Sequence, residues 1–127
     1  MERVPMIAAG FGFRKTASVG SLQDALDRAG EAVQPDVLAT PEDKATAETF
    51  RLFAEKIGIP VKAVPADILR QQSTTTQSEA SQKAHGIGSV AEAAALAAAG
   101  PDARLLTLRH ISADKLATCA LAIRETS

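Results

Sequence analysis

The 127-residue chain is 46% hydrophobic and carries a formal net charge of −1, which predicts one domain with its own core and excludes the basic field of a general nucleic-acid binder. Tyr and Trp are absent, so the usual aromatic platform for stacking bases is excluded as well. The single cysteine, Cys119, excludes an internal disulfide and a multi-cysteine metal site. No apolar run approaches the ~20 residues of a membrane span. We therefore expect a cytoplasmic protein without a metal, a cofactor or a membrane partner.

The chain begins with a predicted strand and a glycine loop. Val4 to Ala9 is an apolar run typical of a buried strand. Residues 10–18, Gly-Phe-Gly-Phe-Arg-Lys-Thr-Ala-Ser, predict a loop that carries two adjacent cations, Arg14 and Lys15. The loop is not a Walker motif, because the Gly-Lys-Ser/Thr ending is missing, and Lys15 stands where the dinucleotide fingerprint requires a third glycine.

A helix is predicted from Gly20-Ser21 to about Ala29, because apolar residues recur there at helical spacing. Ser21 and Asp24 form a plausible capping pair at its start. Residues 36–39 then predict a short second strand.

The second predicted helix has a strong start signal. Thr40 is expected to be its cap and Pro41 its first residue, and the two acids that follow favour the helix dipole. The helix is predicted to extend to Ile57 and to end at Gly58. Lys44 is unusual, because a cation in the first turn opposes the dipole; it either extends into solvent or faces a bound anion.

The remaining strands are predicted from short apolar runs at residues 60–64, 104–108 and 118–123. The last of them follows a turn at 112–115 and is expected to run antiparallel to its neighbour. A short helix is predicted at 65–69. The polar segment 71–81 predicts either a flexible loop or a loop that orders over a ligand.

The segment 85–100 is the most distinctive part of the sequence. A glycine turn with Gly86 and Gly88 leads directly into an alanine-rich helix, and a Gly-Pro pair ends that helix. Ser89 and Glu92 form a capping box, so the helix is predicted to begin at Ser89. Alanine lets neighbouring backbone come close, which predicts a buried helix. The free N–H groups at its start would suit an anion. The match to the dinucleotide fingerprint is weak, since no strand precedes it.

Strands that alternate with helices predict an α/β fold in three layers, a mostly parallel sheet flanked by helices with an antiparallel last strand. Such sheets bind ligands beyond the carboxyl ends of their strands. Arg14, Lys15, Lys44 and His85 would converge at that edge. We therefore expect a site there for a multiply anionic small molecule.

Several motifs resemble one known family. The run Gly-Ile-Gly-Ser-Val-Ala-Glu-Ala-Ala-Ala-Leu at 86–96 is similar to the signature of the CobE/CbiG C-terminal family of cobalamin biosynthesis. The first loop at 10–15, the pair Lys44 and Glu48, and the Thr-x-Ala-x-Ala run at 118–122 resemble further motifs of that family.

The resemblance implies a single domain over residues 1–127, of the stand-alone CobE type, that takes a precorrin or cobalt-precorrin as its ligand. Precorrins are flexible tetrapyrroles fringed with carboxylates. The family often has cysteine where this chain has Phe13 and Ala91, so a role for those thiols does not apply, and Thr16 replaces a glycine. The expected ligand-binding residues are Gly10, Gly12, Arg14, Lys15, Thr40, Lys44, Gly86, Gly88 and Ser89.

Three functions are compatible with these features. In the first, the chain binds a precorrin-type intermediate and assists its conversion. In the second, it is a hydrolase that opens a precorrin lactone with loss of a two-carbon fragment, as the resemblance to CbiG implies, with Glu92 or His85 as the general base. In the third, it is a non-catalytic carrier that hands an intermediate to another enzyme of the pathway.

Overall fold

The computed structural model describes residues 5–30, 33–72, 74 and 89–125. The elements in chain order are β1 (Met6–Phe13), α1 (Val19–Gly30), β2 (Val37–Pro41), α2 (Glu42–Ala45), α3 (Glu48–Ile57), β3 (Val61–Val64), α4 (Ala66–Arg70), α5 (Val90–Ala99), β4 (Arg104–Ile111) and β5 (Ala117–Arg124). No helix in these ranges is long and apolar enough to cross a membrane. The predictions for the polar loop beyond residue 74 and for the glycine turn at 86–88 lie outside the described residues.

The five strands of the described chain form one sheet in the order β3-β2-β1-β5-β4. β1 pairs in parallel with β2, and β2 pairs in parallel with β3. β5 runs antiparallel to both of its neighbours, β1 and β4, so the other strands all point the same way. The predicted α/β fold with a mostly parallel sheet and an antiparallel last strand is confirmed.

Helices cover both faces of this sheet, and the two faces have different cores. α1 and α3 pack on one face, where Phe11, Phe50, Phe53 and Leu121 belong to one buried cluster. α5 packs on the other face against small residues of the strands, including Ala8, Ala39 and Ala122. The division follows from the alternation of side chains along each strand: Ala8 of β1 faces α5, and Phe11 faces α1 and α3.

The glycines at the end of β1 bring α5 close to the sheet. β1 extends to Phe13, so the predicted loop from residue 10 is wrong for its first four residues. A Cβ on Gly10 would lie 2.1 Å from the carbonyl oxygen of Ala91 and 2.4 Å from the amide nitrogen of Ala95. Gly10 therefore marks a close backbone approach inside a strand rather than the start of a loop, and the prediction of a buried alanine helix is confirmed.

The capping of α1 differs from the prediction. The amide of Ser21 donates to the hydroxyl of Ser18, and the amide of Ser18 donates to the hydroxyl of Ser21, both at 3.1 Å. This is a reciprocal capping box that starts one turn earlier than expected. Ser21 and Asp24, the predicted pair, instead bind the turn between β4 and β5: the Ser21 hydroxyl donates to Asp114, and Asp24 accepts from the Ala113 amide.

The helix predicted from Thr40 to Ile57 is two helices. α2 is a single turn, and Thr46 and Ala47 separate it from α3. Thr40 is the fourth residue of β2 and Pro41 is the N-cap of α2, so the capping role predicted for Thr40 is wrong. Gly58 ends α3 in the left-handed conformation, with φ of 70°, as predicted.

Candidate functional site

The carboxyl ends of the parallel strands define one edge of the sheet, called the carboxyl edge below. β1 ends there at Phe13, β2 at Pro41 and β3 at Val64, and the helix that follows each strand starts there. α5 also begins at this edge, because the Val90 side chain lies beside the Cα of Gly12, near the end of β1. The predicted convergence of helix starts at this edge is therefore present.

Three of the predicted cations lie around the end of β1. Arg14 and Lys15 follow Phe13 directly and are exposed. The Nζ atom of Lys44 lies 5.4 Å from the centre of the Phe13 ring, and that ring is stacked on Phe50 at 5.6 Å with an interplanar angle of 4°. Lys44 is thus half-buried against an aromatic face that attracts a cation, so it does not extend freely into solvent.

A fourth cation at this place, Lys115, was not predicted from the sequence. The amide of Arg14 donates to the carbonyl of Leu116 at 2.8 Å, which brings the β4–β5 turn beside the first predicted loop. Lys115 is exposed in that turn and has φ of 63°, a left-handed conformation that is uncommon for lysine. The turn at 112–115 was predicted, but its position next to Arg14 depends on the pairing of β5 with β1, which one sequence does not specify.

Asp114 holds this turn in place. Its carboxylate accepts from the hydroxyls of Ser112 and Ser21 and from the amide of Leu116. The Ser112 hydroxyl, followed by the Ser21 hydroxyl, lowers the pKa of Asp114 below its usual value. Three donors occupy this carboxylate, and no salt bridge joins it to a described cation of the carboxyl edge. Arg14, Lys15, Lys44 and Lys115, called the cation group below, have no ion-pair partner within the described ranges.

Four other predicted ligand-binding residues have structural roles in the described chain. Gly10 and Gly12 lie in β1 under α5. Thr40 is fully buried, and its hydroxyl donates to the carbonyl of Phe11 at 3.0 Å. Ser89 is fully buried and caps α5, since its hydroxyl accepts from the Glu92 amide at 3.3 Å. The predicted site residues His85, Gly86 and Gly88 lie outside the described residues.

Glu92 connects α5 to the edge strand β4. Its side chain is fully buried, and Oε2 accepts from the backbone amide of Arg109 at 2.9 Å. The contact falls where the pairing of β4 with β5 shifts register, between Thr107 and His110. A carboxylate that accepts a backbone N–H supplies a partner for a donor that the irregular ladder leaves unpaired. The structure therefore gives Glu92 a contact beyond the predicted capping box.

The structure also contains a cleft that the sequence did not indicate. It lies between α2 and α4, beyond the paired ends of β2 and β3, and has a volume of about 380 Å³. Val64 and Leu69, each 1% exposed, form its apolar floor. The other residues that line it are Pro41, Glu42, Asp43, Ala66 and Arg70. The sequence carried a partial signal, because acids at 42–43 and an arginine at 70 flank strands expected to end at one edge.

The α/β architecture and the motifs of this chain agree with a match to one protein family. The sequence matches the family described as cobalamin synthesis G C-terminus over residues 7–122. The chain belongs to this family, as the resemblance of its motifs predicted. It is therefore a protein of cobalamin biosynthesis.

Two solved structures are similar over nearly the whole length of both chains. One is CobE, a protein from the cobalamin biosynthetic pathway, with a TM-score of 0.84, 30% sequence identity, and coverage of 97% of this chain and 94% of that chain. The other is cobalamin biosynthesis protein chiG from Agrobacterium tumefaciens, with a TM-score of 0.71, 33% identity, and coverage of 92% and 97%.

A third structure extends the likeness to a longer protein. The putative cobalamin biosynthesis protein G homolog from Sulfolobus solfataricus has a TM-score of 0.67 and 18% identity, and the match covers 93% of this chain but 36% of that chain. At this identity the likeness concerns the fold alone. No curated protein matches the sequence.

Proposed function

We propose that this protein binds a precorrin-type tetrapyrrole at its carboxyl edge and assists the conversion of that intermediate. The observation that carries the proposal is the cation group at the end of β1. Four cations surround the end of β1 in the chain order and strand pairing, and none of them has an ion-pair partner in the described chain, although the chain as a whole has a net charge of −1. Cations without an ion-pair partner suit a ligand with several carboxylates.

The members of the cation group differ in what they offer such a ligand. Arg14 presents a planar guanidinium that can bind a carboxylate through two hydrogen bonds. Lys15 is a flexible, exposed point charge. Lys44 is restrained over Phe13, so it loses less conformational freedom when a carboxylate binds. One fixed and several mobile cations would suit the flexible carboxylate fringe of a precorrin.

The position of Glu92 favours a binding role over the hydrolytic alternative. A general base must reach the proton that it removes, directly or through one water. Glu92 is fully buried and its Oε2 is occupied by the Arg109 amide, so it supports the start of α5 rather than facing the carboxyl edge. We therefore propose that the protein holds the intermediate while another enzyme of the pathway acts on it or receives it.

Co-expression with the enzymes that make early precorrins tests this function. Purification by size exclusion would be followed by visible absorbance, where a polypeptide does not absorb, and the absence of Tyr and Trp keeps the protein's own absorbance at 280 nm low as well. We expect coloured tetrapyrrole to co-elute with the wild type and to be lost in Arg14→Glu. Lys56→Glu, an equal charge change at an exposed residue in the last turn of α3, should keep the pigment. A colourless wild-type peak, or equal loss in both variants, would contradict the proposal.

A further inference from the structure

The cleft between α2 and α4 differs from the cation group in the charges on its walls. Glu42 and Asp43 stand on the α2 wall and Arg70 on the α4 wall. Each of these side chains is exposed, and none has a hydrogen bond or ion pair within the described residues. The cleft therefore has an acidic wall and a basic wall over an apolar floor.

α2 separates this cleft from the cation group. It is a single turn, in which Glu42 and Asp43 line the cleft and Lys44 points to Phe13 at the end of β1. A broad ligand that lies across α2 would thus meet cations on one side and the cleft on the other. The register supports this geometry, because the β2–β3 ladder ends at Pro41 and Val64, both of which line the cleft.

The size of the cleft limits what can enter it. Its volume of about 380 Å³ is near the lower end of the roughly 300–1,000 Å³ found for small-molecule pockets. A whole tetrapyrrole would not fit, whereas one substituted pyrrole ring with its side chains would. The exposed Ala66 above the buried floor would contact the ring edge, and the charged residues at the rim would contact its substituents.

We propose that this cleft binds one edge of the tetrapyrrole and fixes its orientation, with Arg70 holding a peripheral carboxylate and Glu42 and Asp43 repelling carboxylates from the α2 wall. The inference rests on the proposed function and adds a specificity site to it. A ligand turned the wrong way would place a carboxylate beside two acids, which is unfavourable. The correct orientation places that carboxylate beside an arginine that has no ion-pair partner among the described residues.

Opposite charges on the two walls give substitutions with opposite effects. The probe is uroporphyrin I, an air-stable octacarboxylate tetrapyrrole whose fluorescence reports binding. Arg70→Gln should weaken binding about tenfold, the loss expected for one charge-assisted hydrogen bond. Glu42→Gln combined with Asp43→Asn should tighten binding several-fold, because the repulsion is removed. Arg51→Gln, an equal change on the exposed surface of α3, should bind like the wild type.

The outcomes separate the two proposals. If Arg14→Glu abolishes binding while Arg70→Gln and the double variant match the wild type, the cleft inference is wrong and the proposed function stands. If Arg70→Gln weakens binding while Arg14→Glu does not, the ligand lies in the cleft and the role of the cation group is wrong. If uroporphyrin I does not bind the wild type, both proposals are contradicted. Circular dichroism of each variant checks that it is folded.

Discussion

The two helical layers of this protein are held to one sheet by different kinds of contact. On the side of α1 and α3, large side chains fill the space: the Phe11 ring meets the rings of Phe50 and Phe53 edge-on, at 5.6 and 5.4 Å. On the side of α5, backbone lies almost against backbone at Gly10. A core of large side chains tolerates small adjustments by rotamer changes, whereas a backbone contact has no side chain that could move.

A carboxylate also connects each layer to the β4–β5 hairpin, and the two carboxylates differ in burial. Glu92 on the α5 side is fully buried, while Asp114 on the α1 side is exposed to solvent. An unpaired buried polar group costs more free energy than an exposed one that water can solvate. Loss of the buried Glu92 carboxylate should therefore destabilise the fold more than loss of the exposed Asp114 carboxylate. Four substitutions test this comparison of the two layers.

The largest effect is expected from Gly10→Val. A Cβ at this position would lie 2.1 Å from the Ala91 carbonyl oxygen, so α5 would have to move away from the sheet, and we expect little folded protein. Thermal melts followed by far-UV circular dichroism measure the loss. Gly20→Val is the matched control, because the nearest atom to a Cβ there is the Ser18 hydroxyl at 3.5 Å. A cooperative, wild-type-like melt of Gly10→Val would show that the α5 layer can adjust after all.

Phe53→Ala should be the next most damaging change, because it leaves a cavity in the opposite layer. Phe53 is completely buried between α3 and the sheet. Large-to-small changes of this type cost about 3–5 kcal/mol. Urea denaturation would measure the change, and Phe53→Leu should recover most of the lost stability. A cost below about 1 kcal/mol for Phe53→Ala would contradict the view that side-chain volume holds this layer.

Substitutions of Glu92 test how much the buried carboxylate contributes to stability. Glu92→Leu removes the acceptor of the Arg109 amide and should cost about 1–3 kcal/mol, the penalty for an unsatisfied buried donor. Glu92→Gln keeps a carbonyl oxygen there and should cost less. Equal stability losses would argue against the hydrogen bond as the cause. Tetrapyrrole binding by the folded Glu92→Gln variant should be unchanged, whereas its loss would contradict the structural role argued for this carboxylate.

Loss of the exposed Asp114 carboxylate should have the smallest effect on stability, and that effect should depend on pH. The Ser112 and Ser21 hydroxyls lower the pKa of Asp114 from its usual 3.8. A carboxyl with a lowered pKa in the folded state stabilises that state above pH 3.8, and the contribution is lost as the pH falls through the folded-state pKa. Asp114→Asn should therefore lower the melting temperature slightly at neutral pH. The gap from the wild type should close in acid, and a gap that widens there would contradict this account.

Much of the fold followed from local sequence patterns. The capping of α5 by Ser89, the end of α3 at Gly58 and the antiparallel last strand were all predicted from residues within a few positions of each other. The errors came from contacts between distant residues. The sequence predicts Gly10 as a loop residue and Ser21 as a partner of Asp24, whereas the structure explains both residues by contacts with elements far along the chain, α5 and the β4–β5 turn.

The candidate site was predicted only in part for the same reason. The sequence predicts Arg14 and Lys15 as site residues because they are adjacent cations in a glycine loop, and Lys44 because a cation in the first turn of a helix opposes the dipole. Lys115 and Arg70 were missed, since their proximity to the carboxyl edge depends on the β1–β5 pairing and on where α4 packs. Thr40 was assigned to the ligand from its place at a helix start, but its hydroxyl is used by β1.

Cys119 offers a direct way to follow these equilibria. It lies in the middle of the sheet, paired with Phe11 of β1 and His110 of β4, is fully buried, and burial raises the pKa of its thiol well above the usual value. Because only an accessible thiolate reacts with alkylating reagents, labelling requires the sheet to open and its rate reports the open population. A ligand that binds only the folded chain lowers the open population. Labelling then slows by the factor 1 + L/Kd, where L is the free ligand concentration. One sulfur atom can therefore measure affinity at the carboxyl edge, in a chain that has no tryptophan or tyrosine fluorescence.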